Sequence, residues 1–255
     1  MTNSSSTINR TKKRQWQSAA FLMLGIVAHF SASAAGWEID PVRIELSPQQ
    51  QTAALTVKNS SDQVTSIQIH SVAWSQRDGK DIYIPTKELL VSPPIVTIAP
   101  KSEQVIRVAL RRQADPANEL DYRISLQELP PQPTPNFMGV KVALRVSLPV
   151  FVQSINGGVA PKMEWEILQM PGNQLKVIMR NSGNAHIQIS DFALYLPGHD
   201  KPLGGESGST YVLAGQTHEW LLQTSALEKI VNNRLRLTAY TDAYNVDTEI
   251  VLHKP

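Results

Sequence analysis

The sequence predicts an all-β protein with two immunoglobulin-like (Ig-like) β-sandwich domains in tandem and a cleft between them. Short segments that alternate apolar and polar residues recur at intervals of about 8–12 residues, with turn-forming residues between them. No long window repeats apolar residues at the spacing of an amphipathic helix. At 255 residues, the chain is long enough for two such domains.

The first 35 residues differ in character from the rest. Residues 10–14 hold four basic side chains and no acidic one, an apolar stretch follows at 19–30, and small residues fill 31–35. This order predicts a cleaved signal peptide over residues 1–35, with cleavage after Ala34 or Ala35. A membrane anchor is the alternative, but the apolar stretch is shorter than the roughly 20 residues that span a bilayer. We therefore expect an exported protein.

Charge and cysteine content exclude several classes of function. The chain has 24 basic and 22 acidic residues, and four of the basic ones lie in the predicted signal peptide, which leaves 20 against 22. The remaining chain is slightly acidic, so the sequence pI of 8.8 gives no reason to expect nucleic-acid binding. There is no cysteine, which rules out disulfides, thiolate metal sites and cysteine nucleophiles. No later segment is apolar enough for us to expect stable membrane insertion.

About seven strands are expected in a first domain over residues 36–153. Asp78-Gly79 predicts a tight hairpin turn, because both residues tolerate a positive φ. The clearest strand segments are 42–46, 54–57, 66–74, 104–110, 122–129 and 140–152.

A second, smaller sandwich is expected over residues 154–255, after the boundary at Asn156-Gly157-Gly158. We predict a loop over residues 197–209 and a short helical turn near 226–231. Its strand segments are 164–168, 175–179, 187–196, 220–222, 234–240 and 248–252.

Motifs of enzymes are missing from the sequence. No phosphate-binding or dinucleotide-binding glycine motif is present, and the histidines are scattered without metal-ligand spacing. We expect no cofactor, no metal and no catalytic residue. A hydrolase built on a β scaffold stays open as an alternative, because catalytic triads form only in space.

Alternation is longest in the segment that ends at Val152. Seven apolar residues share one face of a strand: Val140, Val142, Leu144, Val146, Leu148, Val150 and Val152. This pattern fits two interpretations. The segment is either a long central strand of the domain's own core, or a strand whose first part binds another protein. Pro149 lacks an N–H donor, so the end of this strand is an edge or is irregular. The pattern alone does not separate the two.

Four features resemble the PapD-type periplasmic pilus chaperones of the chaperone–usher pathway. Arg43 stands three residues before Leu46, as the family's anchor arginine stands before its apolar residue. Residues 126–131, Leu-Gln-Glu-Leu-Pro-Pro, are similar to the family's Leu-Arg-Glu-Ile-Pro-Pro. The alternating strand follows after a short loop. Residues 145–148, Arg-Val-Ser-Leu, are similar to its Arg-Ile-Lys-Leu. These motifs lie within residues 37–152.

The resemblance implies a periplasmic assembly chaperone of a Gram-negative bacterium. Its partners would be pilin-like subunits with an incomplete Ig fold and an outer-membrane usher, with no nucleic acid. The chaperone would complete the subunit's fold with a donor strand. The donor residues would be Met138, Val140, Val142 and Leu144, whereas Val146 and later residues would stay in the chaperone's own core.

The family also binds the subunit's C-terminal carboxylate with an arginine and a lysine. Arg43 matches the arginine, but Ser147 stands at the lysine position and carries no charge. Either the anchor is weaker than in the family, or another base replaces the lysine. Arg145 and Arg107 are the candidates, and each could equally be a solvated residue on the outer face of its strand. A structural or adhesive Ig-like surface or pilus protein is the alternative function; such a subunit would have one incomplete sandwich, whereas this chain is expected to have two complete ones.

Overall fold

The computed structural model describes residues 36–130, 142–225 and 227–254. It confirms the all-β prediction and shows two β-sandwich domains. Residues 1–35, which include the predicted signal peptide, lie outside the described residues. Within the described ranges, no helix combines the length and hydropathy needed to cross a membrane.

The first domain has ten strands in two sheets. One sheet has the order β1-β3-β8-β6, and the other has the order β2-β10-β9-β4-β5, with β7 paired to β4. The strands are β1 (Trp37–Asp40), β2 (Ile44–Leu46), β3 (Thr52–Asn59), β4 (Thr65–Arg77), β5 (Lys80–Pro85), β6 (Leu89–Ser92), β7 (Ile95–Ile98), β8 (Glu103–Leu110), β9 (Leu120–Leu129) and β10 (Arg145–Val152).

Alternation along these strands builds the core between the two sheets. Leu55 and Val57 of β3 and Ile106 and Val108 of β8 are fully buried, as the period of two predicts for one face. Each such side chain contributes roughly 1.5–3 kcal/mol by leaving water. The described strands of the first domain thus bury a common apolar core.

The β4–β5 turn shows how local sequence sets the connections. Asp78 has a φ of 52° and Gly79 a φ of 70°, which is the positive-φ pair that a two-residue hairpin requires. Arg77 pairs with Lys80 across the turn, so the predicted hairpin is confirmed.

The second domain has seven strands in the order β14-β13-β16-β17-β11-β12-β15. A 3-10 helix at Leu227–Lys229 agrees with the helical turn that we predicted near 226–231. The strands are β11 (Met163–Met170), β12 (Gln174–Asn181), β13 (Ile187–Tyr195), β14 (Pro202–Val212), β15 (Thr217–Gln223), β16 (Arg234–Thr241) and β17 (Val246–His253).

Strand β14 corrects one prediction. The loop predicted over residues 197–209 is correct for 197–201 but wrong for 202–209, because Pro202–Val212 pairs with β13 along most of its length. The segment is rich in glycine and serine and lacks the side chains that mark strands. Its pairing requires small residues: a Cβ atom on Gly205 would collide with the carbonyl oxygen of Phe192. Strand β14 forms because its backbone comes close to that of β13. The sequence does not show this close approach.

The two cores are separate, and a small third cluster joins them. The first core is built from residues between Ile44 and Val152, and the second from residues between Ile167 and Leu252. The third cluster consists of Trp74, Phe151 and Leu213, with Tyr211 packed against it. The boundaries 36–153 and 154–255 stay predictions.

Candidate functional site

Strand β10 has one open edge. All of its residues pair with β9 on one side, whereas on the other side only Val150–Val152 pair with β2. Residues 145–149 therefore have no strand partner on that side among the described residues. We call this side the free edge of β10.

Hydrogen bonds show which backbone groups face the free edge. The N–H of Glu128 donates to the carbonyl of Leu144, and the N–H of Gln153 donates to the carbonyl of Leu46. Because neighbours alternate along an antiparallel ladder, even-numbered residues of this segment bond to β9 and odd-numbered ones face away from it. The free edge thus presents the N–H groups of Ala143, Arg145 and Ser147. Pro149, which has no N–H, ends it.

Burial falls steadily along the apolar face of this segment. Leu148, Val150 and Val152 lie in the first core, Val146 is partly buried against it, and Val142 is 73% exposed. Residues 142–144 are not in a strand, so the continuous strand predicted from Val140 is wrong. The backbone N–H of Leu144 donates to the Glu128 carboxylate at 3.1 Å, which ends the ladder.

The predicted donor residues are only partly within the described chain. Val142 and Leu144 lie just before β10, exposed and half-buried respectively. Met138 and Val140 lie outside the described residues. The apolar face thus extends from the core into solvent at Val142.

A large cavity lies on the outer face of the same sheet. Its volume is about 1080 Å³, and Arg145 and Ser147 of β10 line it together with Arg123 of β9. The other charged residues in its wall are Asp81, Lys87 and Arg111. Four cations therefore face one carboxylate, which favours an anionic ligand.

Arg123 contacts Ser147, which stands where the PapD-type chaperones have a lysine. Its Nε donates to the Ser147 hydroxyl at 2.9 Å, and its Nη2 donates to the Ser147 carbonyl at 3.0 Å. Its guanidinium also lies 4.6 Å from the ring centroid of Trp74. Sequence reasoning missed Arg123, because it lies 24 residues before Ser147 and only the β9–β10 register brings them together. Because side chains alternate along β9, the sequence could place Arg123 on the outer face of the sheet. It could not show that Arg123 lies beside Ser147.

Arg145 is held beside this group. Its Nε donates to the Ser125 hydroxyl at 2.9 Å. Within the described residues, neither Arg123 nor Arg145 forms an ion pair. Both guanidinium groups therefore have donors left for a carboxylate.

Asp81 stays ionised, and its carboxylate accepts hydrogen bonds from neighbouring side chains. Burial favours the neutral acid, but hydrogen bonds from Gln76, Trp74 and Tyr83 outweigh it and lower the pKa of Asp81. Burial and the bond to Asp81 raise the pKa of Tyr83 to about 12, so the phenol stays a donor. At physiological pH, Asp81 therefore stays ionised and Tyr83 stays protonated in this wall of the cavity.

Arg43 is placed differently from the other predicted anchor residues. Its guanidinium bonds to Glu45 at 2.7 Å and to Asp242 of the second domain at 2.6 Å. Burial opposes its charge, but both carboxylates outweigh that effect and raise the pKa of Arg43 further above its ordinary value. Its charge is already matched by two acids.

Arg107 is not brought near the cavity. It lies on β8, paired with Ala54 and Ser92 in the four-stranded sheet, and its side chain is exposed. The buried neighbours Ile106 and Val108 face the core, so Arg107 points outward from the opposite sheet.

One group of three side chains with metal-ligating atoms comes together among the described residues: Glu119, Asp121 and His186. His186 Nδ1 lies 2.6 Å from the Glu119 carboxylate, a hydrogen-bonding distance. A guanidinium cation, Arg43, contacts the neighbouring Asp242. The arrangement is that of an ion-pair network between the domains.

The fold and the free edge define a class of protein: a two-domain Ig-like protein whose first domain has a partly unpaired strand. Residues 36–154 match the family described as pili and flagellar-assembly chaperone, PapD N-terminal domain. The first domain therefore belongs to the PapD family of pilus chaperones, and the resemblance stated above is confirmed.

Solved structures of such chaperones share the two-domain fold. A chaperone–tip adhesion subunit complex of CsuC and CsuE, from the archaic chaperone–usher Csu pili of Acinetobacter baumannii, matches with 20% identity and a TM-score of 0.62. The match covers 87% of this chain and 100% of that one. The Escherichia coli chaperone DraB matches with 19% identity and a TM-score of 0.56, over 85% and 97%.

A complex of the Salmonella enterica SafA pilin with the SafB chaperone matches with 15% identity and a TM-score of 0.57, over 86% and 97%. At these identities the likeness establishes the fold. No curated protein matches the chain by sequence.

Proposed function

We propose that this protein is a periplasmic chaperone that binds pilin-like subunits by donor-strand complementation and delivers them to an outer-membrane usher. The observation that carries the proposal is the free edge of β10 beside an apolar face that continues to the exposed Val142. An unpaired edge of this kind is a liability that proteins usually cover. Here it offers three N–H groups and apolar side chains to an incomplete Ig fold.

Both parts of the binding follow from ordinary physical chemistry. The added subunit strand would bond to the N–H groups of Ala143, Arg145 and Ser147, while apolar side chains fill the subunit's groove. Each apolar side chain that becomes fully buried contributes roughly 1.5–3 kcal/mol. The protein would act by binding, without turnover, after export by a cleaved signal peptide.

The proposed donor face is tested by two neighbouring substitutions. Val142→Asp places a charge on the donor face and should lower the affinity for a subunit at least tenfold, because the carboxylate would be buried without a partner. Ala143→Asp adds the same charge one residue later, on the opposite face, and should keep most of the affinity.

Affinity would be measured with a pilin-like subunit that is co-expressed with the chaperone. Equal loss in both variants would show that the effect is one of charge alone and would contradict the donor role.

We further propose that Arg123 and Arg145 bind the subunit's C-terminal carboxylate in the basic cavity. The geometry supports Arg123 as the replacement for the lysine missing at Ser147. Arg43 would contribute mainly to the domain interface, because its charge is already matched.

Arg123→Gln should weaken subunit binding about tenfold, because charge-assisted hydrogen bonds are about twice as strong as neutral ones. Arg123→Lys should restore part of the affinity, and the salt dependence of binding should fall in the glutamine variant. Arg107→Gln is the matched control and should change affinity less than about twofold. If Arg107→Gln weakened binding and Arg123→Gln did not, the carboxylate would bind at the other sheet.

A further inference from the structure

A histidine connects the two domains through carboxylates from each. His186, which precedes β13 in the second domain, has a side chain only 8% exposed. Its Nδ1 lies 2.6 Å from Glu119 of the first domain, and its backbone N–H donates to the same oxygen at 2.9 Å. Its Nε2 lies 3.6 Å from Asp242 of the second domain. The imidazole thus stands between one acid from each side of the interface.

The ring is also held by stacking. His186 lies parallel to Phe151 of β10, with ring centroids 3.4 Å apart and an angle of 6° between the planes. Phe151 belongs to the small cluster that joins the two cores. The imidazole therefore cannot turn away from the two carboxylates without breaking this contact.

Among the described residues, six other charged or titratable groups lie around the ring. Glu119 precedes β9 and Asp121 lies on it, whereas Asp242 follows β16 and Tyr211 lies on β14. Arg43, the residue before β2, and Glu45 of β2 line the same pocket as the ring. Asp121 has a buried Oδ1 that accepts no hydrogen bond from the described residues. With His186 protonated, two cations among these groups oppose the acids Glu119, Glu45 and Asp242. With His186 neutral, Arg43 is the single cation left among them.

The ionisation behaviour of the cluster agrees with this geometry. Burial opposes the charge, but Asp242 and Glu119 outweigh it and raise the pKa of His186 to about 9. Burial and the charge of Glu119 raise the pKa of Asp121 to about 8. A raised histidine pKa means that its stabilisation is fully present below pH 6.5 and is lost as the pH rises through about 9. Asp121 acts in the same direction, because it becomes charged near pH 8.

We propose that His186 is the positioning residue that holds the second domain against the first, and that loss of its proton releases the interface. At alkaline pH, Glu119 and Asp121 of the first domain would face Asp242 of the second with Arg43 as the one opposing cation among these groups. Like charges that are half-buried repel strongly, because little water screens them. This inference concerns the domain interface and does not depend on the proposed chaperone function.

Residual dipolar couplings of backbone amides, measured on the purified protein at pH 6 and pH 10, test the proposal. In the native sequence both domains should share one alignment tensor at pH 6 and show different tensors at pH 10. His186→Phe keeps the stacking on Phe151 but removes the charge, so its domains should already be independent at pH 6 and should not change by pH 10. His199→Phe, at an exposed histidine of the same domain, should behave like the native sequence.

A second variant covers the case in which His186→Phe fails to fold. Asp242→Asn removes the second-domain carboxylate, so the pH at which the tensors separate should fall by at least one pH unit. A shared tensor in His186→Phe at pH 6 would overturn the proposal. So would a shared tensor in the native sequence at pH 10, or an unchanged midpoint in Asp242→Asn.

Discussion

Two buried asparagines occupy matching places in the two domains. Asn59 is the last residue of β3 and Asn181 is the last residue of β12, and they are 1% and 0% exposed. Each Nδ2 donates to three backbone carbonyls, one of them four residues ahead in the chain. Each Oδ1 accepts backbone N–H groups in the following turn. One side chain thus replaces several backbone partners where a strand leaves the sheet.

The predicted effect of losing this side chain is large. Asn181→Ala would leave the carbonyls of Ala185, Val212 and Leu213 buried without this donor, and each unsatisfied group costs about 1–3 kcal/mol. We expect the free energy of unfolding of the second domain to fall by about 3 kcal/mol, measured by urea denaturation. Ser182→Ala, at the exposed next residue, should change it by less than about 0.5 kcal/mol. Equal effects in the two variants would show that the hydrogen bonds do not stabilise the turn.

Residue-level sequence reasoning found these turns but not their role. Asn59-Ser60-Ser61-Asp62 and Asn181-Ser182-Gly183-Asn184 read as turn clusters, because such residues favour turns. The first residue of each cluster is buried because it binds carbonyls of strands that lie about 30–40 positions away in the chain. The same limit hid Arg123, whose partner Ser147 lies on another strand.

At the scale of the element, β10 combines three roles along one segment. Val150–Val152 pair on both sides, residues 145–149 pair on one side, and residues 142–144 leave the ladder. The period of two correctly predicted that Leu148, Val150 and Val152 face the core. It could not predict where the strand begins, because the Glu128 side chain ends the ladder at Leu144.

The correction at β14 has the same physical origin. Residues 202–209 carry few β-forming side chains, yet they form a strand because β13 offers a partner along its edge. Local propensity predicts strands that bury side chains well. It fails where backbone pairing alone decides the element.

For the whole molecule, the interface between the domains was beyond sequence reasoning. Gln76 of β4 donates to the carbonyl of Tyr211 and accepts the N–H of Leu213, 135 and 137 residues away. Arg43 reaches Asp242 across 199 residues. The sequence predicted two sandwiches and a cleft, and the resemblance assigned Arg43 to subunit binding. The structure adds that Arg43 joins the two domains.

In the proposed function, the interface and the free edge would act together to hold a subunit. The cluster of Trp74, Phe151 and Leu213 brings side chains of both domains together. Trp74 stacks on Arg123, so the same cluster positions the proposed carboxylate anchor.

Amide hydrogen exchange of β10, resolved by NMR, tests the central claim most directly. The amides of Ala143, Arg145 and Ser147 face the free edge and should exchange quickly in the free protein, whereas those of Val146 and Leu148 are protected by β9. In a complex with a pilin-like subunit, the first three should exchange at least tenfold more slowly, because the added strand bonds to them. Unchanged exchange at these three amides in a complex that forms would contradict donation of this strand.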